Sequence, residues 1–423
     1  MSILVVTGSR ADWRLVEPVV CAAGADARLL VTGTHLSERH GATVREIEAA
    51  DLGITARVPI LDGADTPLHV AQATGRGVCG CAEVIARINP RWVLVAGDRY
   101  ESFAAGVAAT MLGVPLAHLG GGETDVATNQ DANLRNALTK LAQLHLASHE
   151  LAAERLRALG EEAWRIHVVG LPSLDGIVKQ AAAFEALVSA TGLPTEVRPR
   201  GSATGKRFLL ASFLPVTLRT EQAHRDLRAM LDALGELSDL HKLFVLSNGD
   251  AEGDRIDDAI RRWAAPRSDA TLLAALPPAL YLSALRHAAC YVGNSSSGVI
   301  EAPVLGCPAV IVGERQEGRP TATTTVTLQR PTAADVRTAI RTTIAIRESA
   351  ANDSPYGPGG AADRIVALLH RFADDPRLLS KRLVDHCTGA TAVHSPHEPD
   401  RPPTQLRTHR AAGAPTCGSG GTR

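Results

Sequence analysis

Short, uninterrupted apolar runs alternate with longer segments of helical period along most of this 423-residue chain. Runs such as ILVV (3–6) and WVLVA (92–96) carry no alternating polar positions. That pattern is typical of parallel strands that helices cover on both faces, because each strand is then buried on both sides. The sequence therefore predicts an α/β fold, with strands expected at 2–8, 26–33, 92–98, 114–120, 144–149, 208–215, 241–250, 271–277, 290–297 and 308–314, and a further helix and strand within 155–177.

The alternation is interrupted near residues 190–207, where Pro, Gly, Ser and Thr are frequent. Such a composition is typical of a connection, so we expect two α/β lobes with a cleft at the carboxyl ends of their strands. After residue 384 the chain has almost no large apolar residues, and we expect that part to be disordered. The predicted divisions are an N-terminal lobe at 1–180, a linker at 181–206, a second lobe at 207–350 and a tail at 385–423.

Charge and cysteine content narrow the classes of partner. The 44 basic and 45 acidic residues nearly cancel, so the sequence predicts neither nucleic-acid binding nor membrane binding. No apolar run reaches the length of about 18 residues that a membrane span needs. Of the seven cysteines only Cys79 and Cys81 are close together, without the further ligands that a zinc site requires. We expect a cytoplasmic protein with reduced thiols that acts on a small molecule.

Three consecutive serines, Ser295 to Ser297, follow a predicted strand and lie between Gly293 and Gly298. A helix beginning here would offer free N–H groups and the positive end of its dipole to an anion, and the hydroxyls would add donors. An ordinary helix cap is the alternative, because Ser and Asn are preferred there. Glu301 follows one turn later, where a carboxylate could accept bonds from two ribose hydroxyls. We therefore expect a nucleotide diphosphate as the ligand.

Two other motifs do not fit their patterns. The segment GSATGKR (201–207) lacks the GxxxxGK[ST] spacing of a phosphate loop and lies in the predicted linker. The segment GNSSSG (293–298) is not GxSxG, because Ser297 occupies the place of the second glycine. A hydrolase nucleophile at this turn is therefore not expected.

Eight short motifs follow one another along the chain: TGSRADW (7–13), TGTHLS (32–37), GDRYES (97–102), AHLGGGE (117–123), LRNALTKLAQLH (134–145), VGLPSLDGI (169–177), GNSSSGVIEAP (293–303) and GERQEGR (313–319). Together they resemble the hydrolysing UDP-N-acetylglucosamine 2-epimerases, collinearly from residue 3 to about residue 370. The resemblance implies a GT-B fold, two Rossmann-like lobes with a last helix, in 351–384, that crosses back to the first lobe. It implies elimination of UDP to a 2-acetamidoglucal, then hydration to free N-acetylmannosamine. It also implies a homo-oligomer, a dimer or tetramer, and a reaction without cofactor or metal.

Acidic residues at strand ends are the candidate catalysts. Removal of the C2 proton needs a base in reach, and departure of UDP needs cations or acids near its phosphates. Asp98 directly follows a predicted strand and Glu123 follows another after three glycines, so both should face the cleft. Asp131 precedes a predicted helix and is either a third acid or the helix cap. By resemblance these three residues handle protons, and their grouping would hold at least one raised pKa.

The resemblance also assigns contacts to the UDP-sugar substrate. Arg10 would contact the diphosphate, with a surface position as the weaker alternative. Ser295 and Ser296 would bind phosphate, and Glu301 would bind ribose. Further candidate contacts, for which a scaffold or solvent-facing role is the alternative, are His35, His118, Gly293, Asn294, Arg315 and Arg319.

The sequence departs from the family pattern near these residues. The family's HPVT reads LPVT here, so Leu214 replaces a histidine expected near the phosphates. A leucine neither donates a hydrogen bond nor carries charge, and one lost donor costs about 3 kcal/mol, roughly a hundredfold in rate. Where the family has two consecutive Asp residues this chain reads QDAN, so Asp131 is the only carboxylate in that motif. Asn136 and Gln143 replace two further histidines of the pattern.

Three functions remain open from the sequence. The first is a 2-epimerase that hydrolyses UDP-N-acetylglucosamine or a close UDP-amino sugar. The second is a hydrolase or eliminase of another nucleotide sugar, and the third is a nucleotide-sugar binder without the family's chemistry. The retained residues Asp98, Glu123, Arg10 and Ser295 favour an enzyme, and the first function is the one that we expect.

Overall fold

Two parallel sheets organise the chain, each with the strand order of a Rossmann-like fold. The computed structural model describes residues 1–63, 66–124, 130–216, 219–246, 253–345 and 353–384. In these ranges the first sheet has the order β3-β2-β1-β4-β5-β6-β7 and the second β10-β9-β8-β11-β12-β13. The strands are β1 (Ile3–Thr7), β2 (Ala27–Thr32), β3 (Ile54–Val58), β4 (Trp92–Ala96), β5 (Leu116–Leu119), β6 (Leu144–Ala147), β7 (Ile166–Val168), β8 (Arg207–Ser212), β9 (Leu240–Val245), β10 (Ala270–Leu273), β11 (Cys290–Gly293), β12 (Ala309–Val312) and β13 (Thr325–Leu328).

Helices connect successive strands. Within the described part of the chain, none combines the length and the hydropathy needed to cross a bilayer. The α-helices are α1 (Arg10–Ala23), α2 (Val44–Ala49), α3 (Pro67–Ile88), α4 (Tyr100–Met111), α5 (Gln130–Leu141), α6 (Glu150–Ala158), α7 (Ile177–Gln180), α8 (Phe184–Thr191), α9 (Thr220–Gly235), α10 (Gly253–Ala264), α11 (Pro278–His287), α12 (Glu301–Val304), α13 (Ala333–Ala345) and α14 (Ala361–Phe372).

Alternate residues of β1 are buried on opposite faces of the first sheet. Ile3 and Val5 belong to a core with residues of α1 and α14, whereas Leu4 and Val6 belong to a core with residues of α3 and α4. Because helices cover both faces, no position of this strand is polar until Thr7. The uninterrupted apolar runs of the sequence have this origin, and the predicted α/β fold is confirmed.

Two strands, β3 and β13, were not predicted. Each lies at the edge of its sheet. In β3 the side chains of Thr55 and Arg57 are exposed, and in β13 only Thr325 is fully buried. An edge strand has one unpaired side and a partly solvated face, so polar residues interrupt the apolar run by which the other strands were recognised.

The segment 181–206, which we predicted as a linker, contains α8 and contributes to the second core. Leu187, Leu193 and Val197 are buried in the same cluster as Phe208 of β8. The Pro and Gly residues there form turns, and the apolar residues between them pack on the second sheet. The predicted disordered tail at 385–423 lies outside the described residues.

The last described helix, α14, packs on the first sheet. Trp92 of β4 donates its indole N–H to the carbonyl of Leu369 at 2.9 Å. The helix begins after Gly360, which has no side chain to cap it. The carboxylate of Asp175 caps it instead and accepts the N–H of Ala361 at 2.9 Å and of Ala362 at 2.8 Å. A helix cap from a distant segment thus fixes the chain's return to the first lobe.

We expect Asp175→Ala to lower the midpoint of thermal unfolding, because the first amides of α14 lose their acceptor. A lost helix cap corresponds to about 1–2 kcal/mol of the unfolding free energy. Differential scanning calorimetry measures the change. Asp363→Ala, exposed in the first turn of the same helix, is the control and should change the midpoint little. An unchanged midpoint in Asp175→Ala would contradict the capping role.

Candidate functional site

Four of the residues singled out in the sequence lie where the strand order of each sheet reverses. In the first sheet the reversal is between β1 and β4, and in the second between β8 and β11. Crevices at the carboxyl ends of such strand pairs are the usual ligand sites of doubly wound sheets. Arg10 and Asp98 follow β1 and β4, and Leu214 and Ser295 follow β8 and β11. The topology therefore places all four at the expected edges.

Arg135 of α5 connects the carboxylate of Asp98 with the main chain at Glu123. Its side chain is almost fully buried and forms an ion pair with Asp98. Another of its nitrogens, Nη1, donates to the main-chain carbonyl of Glu123 at 2.9 Å. Asp131 lies four residues earlier in the first turn of α5, and residues four apart share one helix face. Arg135 thus pairs with Asp98 and bonds the main chain of Glu123, and Asp131 shares its helix face.

Glu123 is held by residues of the β6–α6 junction. Its Oε1 accepts a hydrogen bond from the Ser148 hydroxyl and lies 3.2 Å from Nε2 of His149. Burial alone would raise the pKa of Glu123, but the contacts with His149 and Ser148 outweigh it and the pKa is lowered. The raised pKa that we expected among the three acids is therefore not found at Glu123.

A carboxyl with a raised pKa lies beside the predicted acids, at Asp12 of α1. Burial, and then the negative charge of Glu101, raise the pKa of Asp12 to about 7. Its Oδ2 accepts the N–H of Gly8 at 3.2 Å. Glu101 lies against the glycines that follow β1 and β2, since a Cβ on Gly8 would be 2.5 Å from Cβ of Glu101. The sequence interpretation missed both acids, although each lies just beyond a strand at the reversal point.

Arg10 is the first residue of α1, and its side chain is 62% exposed. Its guanidinium forms an ion pair with Glu46, not with a residue of the second lobe. Exposed pairs of this kind contribute at most about 1 kcal/mol, so the guanidinium is not held firmly there. Arg14 lies one turn further along α1. Burial raises the pKa of Glu301 in the second lobe, and the positive charge of Arg14 partly offsets that rise.

His35 and His118 are buried beneath the site. The ring of His35 lies between the hydroxyls of Thr7 at 3.0 Å and Thr43 at 2.7 Å. Nε2 of His118 bonds the carbonyl of Gly97 at 2.8 Å. Burial lowers the pKa of both histidines to about 4. Of the two roles left open by the sequence, this geometry favours the scaffold.

The serine run forms a 3-10 turn and not the start of a regular helix. Ser295 precedes the turn Ser296–Gly298, and α12 begins only at Glu301 and has four residues. So short a helix has a weak dipole, so the predicted contribution of a helix end is small. The N–H of Ser297 donates to Oγ of Ser295, and the N–H of Gly298 donates to the main-chain carbonyl of Ser295. Anion binding at this turn would therefore depend on the serine hydroxyls and on backbone N–H groups other than those of Ser297 and Gly298.

Tyr291 of β11 supports the serine turn from below. Its hydroxyl lies 2.7 Å from Oγ of Ser212 and accepts the N–H of Ser295 at 3.1 Å. Gly293 has φ of +153°, and a Cβ there would lie 1.8 Å from the carbonyl oxygen of Ser212. A Cβ on Gly298 would lie 2.5 Å from the ring of Tyr291. Both glycines are therefore required by close packing under the turn.

Glu301 has a buried carboxylate oxygen, Oε2, that has no hydrogen-bond partner among the described residues. Burial raises the pKa of this carboxyl. Buried polar atoms are nearly always satisfied, so an orphaned one suggests a missing partner. A ligand hydroxyl is a suitable partner, in agreement with the ribose contact that we predicted.

Asn294 joins the serine turn to two neighbouring loops. Its side chain accepts the N–H of Leu214 at 2.7 Å and donates to the carbonyl of the same residue at 2.8 Å. Its own carbonyl accepts from Gln316 at 2.9 Å and from Arg315 at 3.4 Å. Asn294 and Arg315, proposed as substrate contacts, thus have structural partners in the second lobe.

Arg155 of α6 connects the loops of the two lobes. Its Nη1 donates to the carbonyl of Gly122 at 3.2 Å, and its Nη2 donates to the carbonyl of Gly318 at 2.9 Å. Gly122 directly precedes Glu123, and Gly318 belongs to the loop that carries Arg315 and Arg319. Hydrogen bonds of one arginine therefore link the main chain beside Glu123 in the first lobe to the loop of Arg315 and Arg319 in the second.

For His35 and His118 we expect no protonation above about pH 5, because the folded pKa of about 4 lies below the ordinary 6.5. Between these two values the unfolded chain binds more protons, so the stabilising contribution is present above 6.5 and is lost as the pH falls toward 4. Titration of the histidine C2–H resonances by nuclear magnetic resonance checks this. A midpoint near 6.5 for either residue would contradict a buried scaffold role.

Comparison with known proteins gives several relatives that are named as 2-epimerases. The GDP/UDP-N,N'-diacetylbacillosamine 2-epimerase (hydrolyzing) of Campylobacter jejuni is 29% identical over 75% of this chain and 81% of its own. The UDP-N,N'-diacetylbacillosamine 2-epimerase (hydrolyzing) of Legionella pneumophila is 28% identical over 90% of this chain and 98% of its own. The UDP-N-acetylglucosamine 2-epimerase of Neisseria meningitidis is 27% identical over 75% of this chain and 81% of its own.

Solved structures agree with this result. A UDP-GlcNAc 2-epimerase from Neisseria meningitidis, solved with UDP-GlcNAc bound, superposes with a TM-score of 0.69 at 17% identity, over 88% of this chain and all (100%) of that one. The match spans both lobes, so the predicted GT-B fold is confirmed. The family profile described as UDP-N-acetylglucosamine 2-epimerase matches residues 21–370. This chain therefore belongs to the UDP-N-acetylglucosamine 2-epimerase family.

Proposed function

We propose that the protein is a hydrolysing 2-epimerase that converts UDP-N-acetylglucosamine, or a close UDP-amino sugar, to UDP and the free 2-epimerised N-acetylhexosamine. The observation that carries this proposal is the hydrogen-bonded path from Gly122, which precedes Glu123, through the Arg155 side chain to Gly318 in the loop beside the serine turn. A sugar between the two rims would have carboxylates at C2 and phosphate donors at its leaving group.

In this proposal the UDP moiety lies along the second lobe. The hydroxyls of Ser295 and Ser296 donate to its phosphates, and the buried Oε2 of Glu301 accepts a ribose hydroxyl. Arg10 releases its exposed pair with Glu46 and turns toward the diphosphate, which costs little. Arg14 is a second cation on the same helix, near Glu301.

The acids of the first lobe perform the proton transfers. A base removes the proton at C2 while the C1–O bond to UDP breaks, which leaves the glycal. Water then adds its oxygen to C1, and an acid delivers a proton to C2 from the opposite face. Glu123, whose pKa is lowered, is ionised at neutral pH and suits the role of base. Asp98 and Asp131, grouped around Arg135, are the candidates for the second face.

Leu214 limits the rate in this proposal. Its main chain is held by Asn294 at the end of β8, beside the serine turn, but its side chain offers no donor to the leaving phosphate. The same apolar side chain favours a second candidate, an enzyme for a sugar that carries an apolar substituent. The names of the Campylobacter and Legionella relatives make UDP-N,N'-diacetylbacillosamine the second substrate to test.

Incubation with each UDP-sugar in deuterated water tests the function. We expect UDP release together with a free N-acetylhexosamine that carries deuterium at C2, detected by mass spectrometry and proton spectra. Asp98→Asn and Glu123→Gln serve as controls and should lose about a hundredfold or more in turnover.

Two results would contradict the first reading. Release of UDP without epimerisation would indicate a different hydrolase. Saturable UDP-sugar binding without any release would indicate a binding protein. Calorimetric titration with UDP separates these outcomes from a protein that has no nucleotide site.

We expect Leu214→His to raise kcat by about tenfold or more, because an imidazole restores a donor near the leaving phosphates. Steady-state kinetics at saturating UDP-sugar measure the change. Leu214→Met, which keeps the apolar character at similar volume, is the matched control and should leave kcat within about twofold. A histidine variant that folds and turns over no faster would count against this placement of the leaving group.

A further inference from the structure

His149 is the residue at which β6 leads into α6. It is the N-cap of that helix, and its ring is 1% exposed. Its Nδ1 accepts the backbone N–H of Ala152 at 3.0 Å. Because Nδ1 accepts, the proton of the neutral ring is on Nε2. The backbone of the helix therefore determines which ring nitrogen can donate.

That donor faces Glu123. Nε2 of His149 and Oε1 of Glu123 are 3.2 Å apart. Nε2 forms no hydrogen bond with the described residues, so its contact with the carboxylate is an electrostatic one at hydrogen-bond distance. Such contacts often tighten when a substrate binds. Ser148 also donates to Oε1, which leaves Oε2 without a bond from the described residues.

The ring is fixed on its other side by aromatic packing. Tyr356 lies edge to face with His149, with 5.1 Å between the ring centroids and an interplanar angle of 90°. Tyr356 is itself held by its main chain, whose carbonyl accepts the N–H of Leu171 at 3.1 Å. A helix cap does not require this environment, since a short polar side chain such as Asn or Ser is sufficient for capping.

We infer that His149 is a positioning residue of the reaction: with its tautomer set by α6, it directs Nε2–H at Oε1 of Glu123 and presents Oε2 of that carboxylate to the sugar. This inference rests on the proposed function, in which Glu123 is the base. His149 itself contacts no reacting atom in this scheme. The sequence motif LHLASH, which we interpreted only as a strand, contains this residue.

Other groups also act on Glu123 and must be kept constant in a test. Arg135 of α5 bonds its main-chain carbonyl, and the charge of Arg319 in the second lobe lowers the pKa of the carboxyl. Arg155 of α6 and the hydroxyl of Tyr356 lie nearby, and the charge of Glu123 contributes to the raised pKa of that phenol after burial. Since all of these remain in a His149 variant, the difference from wild type reports on His149.

His149→Asn separates the two roles of the residue. An asparagine side chain can accept the N–H of Ala152 and keep the cap, but it is too short to reach Glu123 as well. We expect kcat to fall about tenfold, as for one lost hydrogen bond to a charged group, with KM for the UDP-sugar within about twofold. The acidic limb of kcat/KM should move to higher pH, because the pKa of Glu123 is no longer lowered by the ring. His149→Ala, which also loses the cap, should in addition unfold at a lower temperature.

An unchanged kcat and acidic limb in a folded His149→Asn variant would overturn the inference. So would equal losses in His149→Asn and His149→Ala that follow only the unfolding midpoint, because a purely structural role predicts that pattern. Carbon-13 titration of the Glu123 carboxyl, assigned with Glu123→Gln, needs no turnover. If the wild type released UDP from no UDP-sugar, the proposed function would fail, while this titration would still decide whether His149 acts on Glu123.

Discussion

The buried guanidinium of Arg135 is the interaction on which the first-lobe half of the site depends. It pairs with Asp98 at the end of β4 and bonds the main chain at Glu123, beyond β5. A buried cation that loses its partner destabilises a protein by about 3–5 kcal/mol, so this arrangement is strongly enforced by folding. Two acids from separate strands are thereby kept together before any ligand binds. Preorganisation of this kind is what acid–base chemistry on a sugar requires.

The two Rossmann-like sheets share one arrangement of polar residues at the point where the strand order reverses. In each, strands at the reversal point end side by side, and polar residues follow directly: acids after the first pair, serines and an asparagine after the second. The loops beyond these ends then meet through Arg155, which bonds Gly122 and Gly318. In the proposed function acid–base groups and phosphate donors come from different lobes, and the guanidinium of Arg155 links the two rims through the main-chain carbonyls of two glycines.

Much of this architecture follows from local patterns, because a doubly covered strand must be apolar throughout and a functional residue must follow its end. The edge strands β3 and β13 were not predicted in this way, because their exposed polar residues interrupt the apolar run. The segment that contains Leu187 was predicted as a linker because of its turn-forming residues, although its apolar side chains are buried. Arg10's pair with Glu46 and the meeting of His149 with Glu123 depend on distant segments, which no local pattern reports. The raised pKa at Asp12 arises likewise from burial beside Glu101, 89 residues away in sequence.

The clasp formed by the two hydrogen bonds between the Asn294 side chain and the main chain of Leu214 affects how the sequence of such a site can change. Asn294 recognises only the backbone N–H and carbonyl at position 214, so the identity of that side chain is immaterial to the clasp. In the proposed function, mutation there would alter what the ligand encounters while the supporting framework persists. Descendants of one ancestral enzyme could therefore explore new nucleotide sugars through single exchanges at this place, without first acquiring compensating changes elsewhere.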